Sequence, residues 1–232
     1  YLDAVLNPNI YKEPKIFMQE GWHYELEKPE GPLKYNGVVY NEMRGAYSSP
    51  EQLMERKIQQ SLFPDTTYGF ESGGDPEHIT DLTYQQYLDF HKKYYHPSNS
   101  YIYLYGDMDM AEKLKWIDEK YLSHFDYLEV DSEVKRQKTF DEPKEMKVYY
   151  SLTEGESEED KTYFSYNAVT STSLDRDLYI AFQVLNYVLV QGVGAPVKQA
   201  LLDAGIGSEI ISFFEESICQ PVFSIIAKNV AG

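Results

Sequence analysis

The stretch of sequence that decides the fold runs from Tyr35 to Asp75 and reads YNGVVYNEMRGAYSSPEQLMERKIQQSLFPDTTYGFESGGD. Near its start, apolar residues recur at steps of three and four, which predicts a helix with an apolar stripe formed by Val38, Val39, Met43 and Ala46. Glu42 lies inside this run, so we expect its carboxylate to be mostly buried. Such a group requires an arginine, backbone amides or a metal as partner, because an unpaired buried charge is costly.

A second helix and an ordered loop complete this stretch. Pro50 opens the helix after two serines, and its apolar residues are Leu53, Met54, Ile58 and Leu62. The sequence FPDTTYGFESGGDP then combines glycine, proline and aspartate with several aromatic side chains. We expect this loop to be ordered, because aromatic side chains of that size need packing partners.

The charge balance restricts the possible partners of the protein. The chain has 38 acidic and 21 basic residues, and its net charge of −17 argues against nucleic acid or an anionic membrane as a partner. No apolar run approaches the roughly 18–20 residues of a membrane span, so we expect none. The single cysteine, Cys219, excludes an internal disulfide and fits a reducing compartment.

The rest of the chain predicts an α+β fold of two-layer units, each with a mixed or antiparallel sheet and helices on one face. Predicted helices lie at 83–96, 110–125, 173–190 and from 196 onward, and predicted strands at 22–27, 100–107, 146–152, 161–169, 209–217 and 219–230. The charge-rich segment before residue 144 has no sustained apolar period. We therefore predict a unit at 1–130, a linker at 131–143 and a second unit at 144–232.

Three segments between residues 36 and 109 carry a family resemblance. They read NGVVYNEMRGAYSSPE, LFPDTTYGFESGGDPEHITDLTY and FHKKYYHPSNSYIYLYGDMD. Together they resemble the insulinase-type zinc peptidases, also called the pitrilysin or inverzincin type, and in particular the branch of presequence protease and falcilysin. The resemblance implies metallopeptidase-like repeat domains, with 1–130 as the later part of the first domain and 144–232 as the start of a second, homologous one.

The same resemblance implies that Glu42 is the third zinc ligand. In this family the other two ligands and the catalytic base come from an H-x-x-E-H helix, and the sequence contains no such motif. We therefore assign no catalytic residue and no substrate-binding residue within the chain. His91 and His96 are five positions apart and do not share a helical face, so we expect them to pack and form hydrogen bonds. By composition alone, Glu42 would be a paired structural acid.

Two hypotheses about function follow. In the first, the chain is a fragment of a zinc-dependent oligopeptidase that degrades short unfolded peptides, and it is inactive by itself. Its partners are then peptide substrates and the remaining domains of the same chain. In the second, the parent is a non-catalytic scaffold homologue or partner subunit of such a peptidase. For the compartment, we expect the cytoplasm, with the mitochondrial matrix or another organelle as the alternative.

Overall fold

The computed structural model describes residues 1–231, which form two compact units that are interleaved along the chain. Unit 1 comprises Tyr1–Ser49 and Glu71–Val134, and unit 2 comprises Pro50–Phe70 together with the chain from Lys135 onward. The second helix of the opening stretch thus belongs to the unit that is built mainly from the later half of the chain. The division into 1–130, 131–143 and 144–232 stays a prediction.

Helices and small antiparallel sheets make up both units, which confirms the α+β class. In chain order, the elements are α1 (Leu2–Leu6), α2 (Lys15–Glu20), β1 (His23–Glu25), β2 (Lys34–Asn36), α3 (Val38–Ala46), α4 (Pro50–Leu62), α5 (Pro76–Ile79), α6 (Tyr84–Tyr94), α7 (Met110–Lys120), β3 (Thr162–Val169), α8 (Arg176–Asn186), α9 (Pro196–Asp203), β4 (Glu209–Glu215) and β5 (Val222–Val230). Strand β1 pairs with β2, and the order of the second sheet is β3-β5-β4.

Two of the predicted strands are wrong. Residues 100–107 and 146–152 have the alternating pattern of strands but no strand pairing in the part of the chain that the structure describes. The rings of Tyr103 and Tyr105 stack in parallel with centroids 6.5 Å apart, as residues two apart do on one side of an extended chain. Alternation therefore predicted the local conformation, but a strand also requires a partner backbone.

Unit 2 is organised around β5, which pairs antiparallel with β3 on one side and β4 on the other. On one face, a core cluster joins Ile210 of β4, Ala227 of β5 and Val190, and residues of α9 pack against it. Glu209 and Lys228 form the next register pair, so their side chains point to the opposite face. The sheet therefore has an apolar helical layer on one face and a charged contact on the other.

The long apolar helix predicted at 173–190 differs in detail from the observed one. Asp175 caps α8 by accepting a hydrogen bond from the backbone N–H of Leu178 at 3.1 Å, so the helix begins after the predicted residue 173. A π-helical turn, Tyr187–Gln191, then extends the helix. By length and composition alone, the helical segment Arg176–Asp203 is long and apolar enough to cross a membrane, contrary to our sequence-based expectation. It is interrupted between the π-helical turn and α9. Core helices of soluble proteins pass the same test when they are mostly buried, whereas 17% of the apolar window of this segment is buried.

Helix α4 contacts the charged face of the second sheet through Glu51. Its carboxylate accepts hydrogen bonds from the Tyr163 hydroxyl and from Lys228 Nζ, each at 3.0 Å. Lys228 Nζ also lies 3.4 Å from Glu209. The hydrogen bond from Lys228 is the largest cause that lowers the pKa of Glu51, to about 2. Burial, together with the bond to Glu51, raises the pKa of Tyr163 to about 12.

Replacing this carboxylate by an amide, Glu51→Gln, is expected to lower the free energy of unfolding at pH 7 by about 1 kcal/mol. This is less than for a buried pair, because the Glu51 side chain is 39% exposed. Its folded-state pKa lies below its ordinary value of 4.5, so the stabilisation is present above that pH and is lost as the pH falls through about 2. Urea unfolding across this pH range measures the effect, with the exposed Glu55→Gln on the same helix as control. Equal losses in both variants, or a difference that does not shrink as the pH falls from 4.5 to about 2, would contradict it.

Candidate metal-ligand site

Helix α3 begins where two backbone segments almost touch. Gly37 has a φ of +150°, and a Cβ at this position would lie 2.2 Å from the carbonyl oxygen of Gly21 and 2.8 Å from Trp22 Cα. Asn36 Oδ1 accepts hydrogen bonds from the backbone N–H of Gly37 at 2.8 Å and from Asn41 Nδ2 at 2.6 Å. The first turn of α3 is therefore held against the chain around β1 and β2 by a contact that only glycine permits.

The middle of α3 packs on the SGGD loop. A Cβ on Gly73 would lie 2.2 Å from Sδ and 3.0 Å from Cε of Met43, so this side chain rests directly on the loop backbone. Asp75 caps α5 by accepting a hydrogen bond from the backbone N–H of Glu77 at 2.9 Å. The loop is therefore tied to the following helix, and it forms a firm support for α3.

Glu42 lies on the exposed side of α3, and our expectation that it is mostly buried is wrong. None of the residues of α3 is buried, and Val38 in its apolar stripe is 43% exposed. The physical reason is that α3 meets only the short elements α2, β2 and α5 and the SGGD loop within unit 1, which cover less of a helix than a sheet does. Within residues 1–231, no hydrogen bond or ion pair joins the Glu42 carboxylate to another group.

An exposed carboxylate of this kind fits one ligand position of a zinc site but does not complete it. Zinc in a hydrolytic site takes three protein ligands and keeps a position open for water. Nowhere in the described chain do three or more His, Cys, Asp or Glu side chains come together in a group that could hold a metal ion. Glu42 can therefore provide one oxygen ligand, and the remaining ligands have to come from outside these residues.

The two helix-end histidines are engaged by protein groups, which confirms the expected packing role. His91 Nδ1 lies 2.8 Å from the Tyr11 hydroxyl, and its Nε2 lies 2.8 Å from the Val5 carbonyl oxygen. Because a carbonyl only accepts, Nε2 donates to Val5 and Nδ1 accepts from Tyr11. His96 Nδ1 accepts the backbone N–H of Ser98 at 3.1 Å.

Sequence reasoning did not identify Gly37 and Gly73 as the glycines at which α3 and its first residues closely approach the neighbouring chain. The signal was present, since one glycine directly precedes a helix and the other belongs to a glycine pair in a loop. Glycines in such places mark a close approach of backbone or side chain. What the sequence could not show is which segment makes that approach.

Comparison with known proteins identifies the family. The family profile described as "Peptidase M16 inactive domain" matches residues 81–230. The chain belongs to the M16 peptidase family. This confirms the resemblance to insulinase-type peptidases; Glu42 lies outside the matched range.

Relatives of known name cover nearly the whole chain. "Protein HypA" of Clostridium perfringens is 53% identical over 99% of this chain, which corresponds to 24% of that protein. "Presequence protease 1, chloroplastic/mitochondrial" of Arabidopsis thaliana is 37% identical over 100% of this chain and 22% of that protein. The chain thus spans about a quarter of the length of these relatives.

A solved structure shows the same fold at low identity. A chain of "Complex III2 from Candida albicans, Inz-5 bound" superimposes with a TM-score of 0.53 and 12% identity, covering 84% of this chain and 46% of that one. The names of several relatives place them in mitochondria or chloroplasts. They are consistent with the organellar alternative and give no support to a cytoplasmic location.

Proposed function

We propose that this chain is part of a longer zinc-dependent oligopeptidase that degrades short unfolded peptides. In that peptidase Glu42 is the third zinc ligand, and the other two ligands and the catalytic base belong to the rest of the polypeptide. The observation that carries the proposal is the exposed Glu42 carboxylate on α3, a helix anchored at Gly37 and at Met43. The presequence proteases among the relatives support a peptidase parent.

The role of the chain's own residues in this proposal is to place one carboxylate. When bound, zinc polarises the scissile carbonyl and activates a water molecule. Glu42 supplies a negatively charged oxygen ligand from a helix, and ligands carried by helices are held more accurately than ligands on loops. The proposed partners are peptide substrates and the remaining domains of the same polypeptide. The net charge of −17 supports the proposal that neither nucleic acid nor membrane is a partner.

A non-catalytic scaffold or partner subunit is the second candidate. It is favoured by the match of residues 81–230 to the inactive domain of the family. In this case the Glu42 carboxylate has no metal to bind. The two candidates differ in what precedes the chain in the full-length protein, since only a peptidase requires an H-x-x-E-H helix there.

The test compares the 232-residue chain with its full-length parent. After the upstream coding sequence has been read for H-x-x-E-H, both proteins are assayed for bound zinc and for hydrolysis of a fluorogenic unfolded peptide. We expect the chain alone to retain no zinc through gel filtration and to be inactive, because a single carboxylate does not hold the ion. The parent should retain zinc and lose activity on chelation. A parent with a degenerate motif, or one that is active without zinc, would overturn the proposal.

A further inference from the structure

We infer that Gly73 is a positioning residue for the Glu42 carboxylate, which it controls through Met43. This inference rests on the proposed function, in which Glu42 binds zinc. Met43 follows Glu42 directly on α3, so the two side chains point about 100° apart around the helix axis. Seating Met43 on the loop therefore also sets the direction in which Glu42 points.

The contact is close enough that a single methyl group at Gly73 would disturb it. An added Cβ would meet three successive atoms of one side chain: Sδ of Met43 at 2.2 Å, Cε at 3.0 Å and Cγ at 3.3 Å. All three atoms belong to the flexible outer part of the Met43 side chain, so Met43 has to leave this rotamer. Its contact with the loop, which supports α3, is then lost.

The backbone of the SGGD loop is held in place by hydrogen bonds and by the cap of α5. Gly74 follows Gly73, and its backbone N–H donates to the Glu71 carbonyl at 3.1 Å. Asp75 then caps α5 with its side chain, and its carbonyl accepts the backbone N–H of Ile79 at 2.8 Å. Since the loop is fixed on the far side of Gly73, the displacement is expected at the Met43 side chain, the residue next to Glu42 on α3.

The decisive experiment is a double-mutant cycle in the full-length parent, read as the zinc dissociation constant in competition with a chromophoric chelator. We expect Gly73→Ala to weaken zinc binding about tenfold, within the range found for residues that orient metal ligands. Met43→Ala removes the colliding atoms, so adding Gly73→Ala to it should cause no further loss. This non-additivity shows that the effect of Gly73→Ala passes through Met43, and an unchanged melting temperature distinguishes positioning from general destabilisation.

Gly45→Ala is the matched control. It adds the same methyl group to α3 itself, and a Cβ there has no neighbour within 4 Å. It should leave zinc binding unchanged, and the melting temperature of each variant is recorded alongside. An equal effect of Gly73→Ala in both Met43 backgrounds, or none in either, would overturn the inference. If Glu42→Gln also left zinc binding intact, the proposed function would fail; if it abolished zinc binding, only the positioning role would be lost.

Discussion

Glu42→Gln in the full-length parent is expected to weaken zinc binding by more than about a hundredfold and to abolish peptide hydrolysis. Residues that merely orient ligands change metal affinity by about 10- to 100-fold, and loss of a ligand should exceed that. The substitution keeps the size of the side chain but removes its charge. Because Glu42 is exposed and forms no ion pair in the described chain, its replacement should leave the fold intact. Zinc content after gel filtration and the rate of peptide hydrolysis measure the two effects.

Glu77→Gln provides the control for this substitution. Glu77 is also exposed and belongs to unit 1, and only its backbone N–H takes part in the capping of α5. The control variant should retain both zinc and activity. If Glu42→Gln kept its zinc, Glu42 would not be a ligand and would be an ordinary surface acid.

Gly37→Ala is expected to have the largest effect on stability, with a loss of more than about 3 kcal/mol in unit 1. The new Cβ would meet backbone atoms, the Gly21 carbonyl oxygen at 2.2 Å and Trp22 Cα at 2.8 Å. Backbone cannot move aside as a flexible side chain can. A φ of +150° adds strain for any residue with a Cβ. The variant should therefore lose the anchor of α3 together with much of the unit.

Urea unfolding and hydrogen exchange of unit 1 measure this loss. Gly45→Ala serves again as the comparison, since alanine in an exposed helix stabilises by about 0.5–1 kcal/mol relative to glycine. Similar stabilities of the two variants would show that a Cβ at Gly37 lies farther than 2.2 Å from the Gly21 carbonyl oxygen.

Local sequence patterns correctly predicted the helices and strands that find a packing or pairing partner within the described chain. The helix predicted from residue 83 is present as α6, and Thr83 Oγ1 caps it by accepting a hydrogen bond from the backbone N–H of Gln86 at 3.3 Å. The predicted strands at 161–169, 209–217 and 219–230 pair with one another as β3, β4 and β5. Residues 100–107 carry an equally clear pattern, yet they form no strand in the described chain. Periodicity thus predicts which segments can be strands, but pairing depends on long-range contacts.

The same distinction applies to the candidate site. The family resemblance selected Glu42, whereas the apolar spacing around it predicted burial that the structure does not have. The spacing correctly indicated a helix, but how much of it is covered depends on what packs against it. The close contacts that Gly37 and Gly73 make at α3 likewise depend on the tertiary structure.

The interleaving of the two units has a consequence for how the protein is made. Helix α4 belongs to unit 2, and 112 positions separate Glu51 from the Tyr163 hydroxyl that binds it. At a synthesis rate of about 5–20 residues per second, α4 leaves the ribosome roughly 6–20 seconds before this partner strand exists. During that interval the helix has no sheet to contact, and it is open to chaperones and to other nascent chains. The order of the segments along the chain therefore delays the co-translational folding of unit 2.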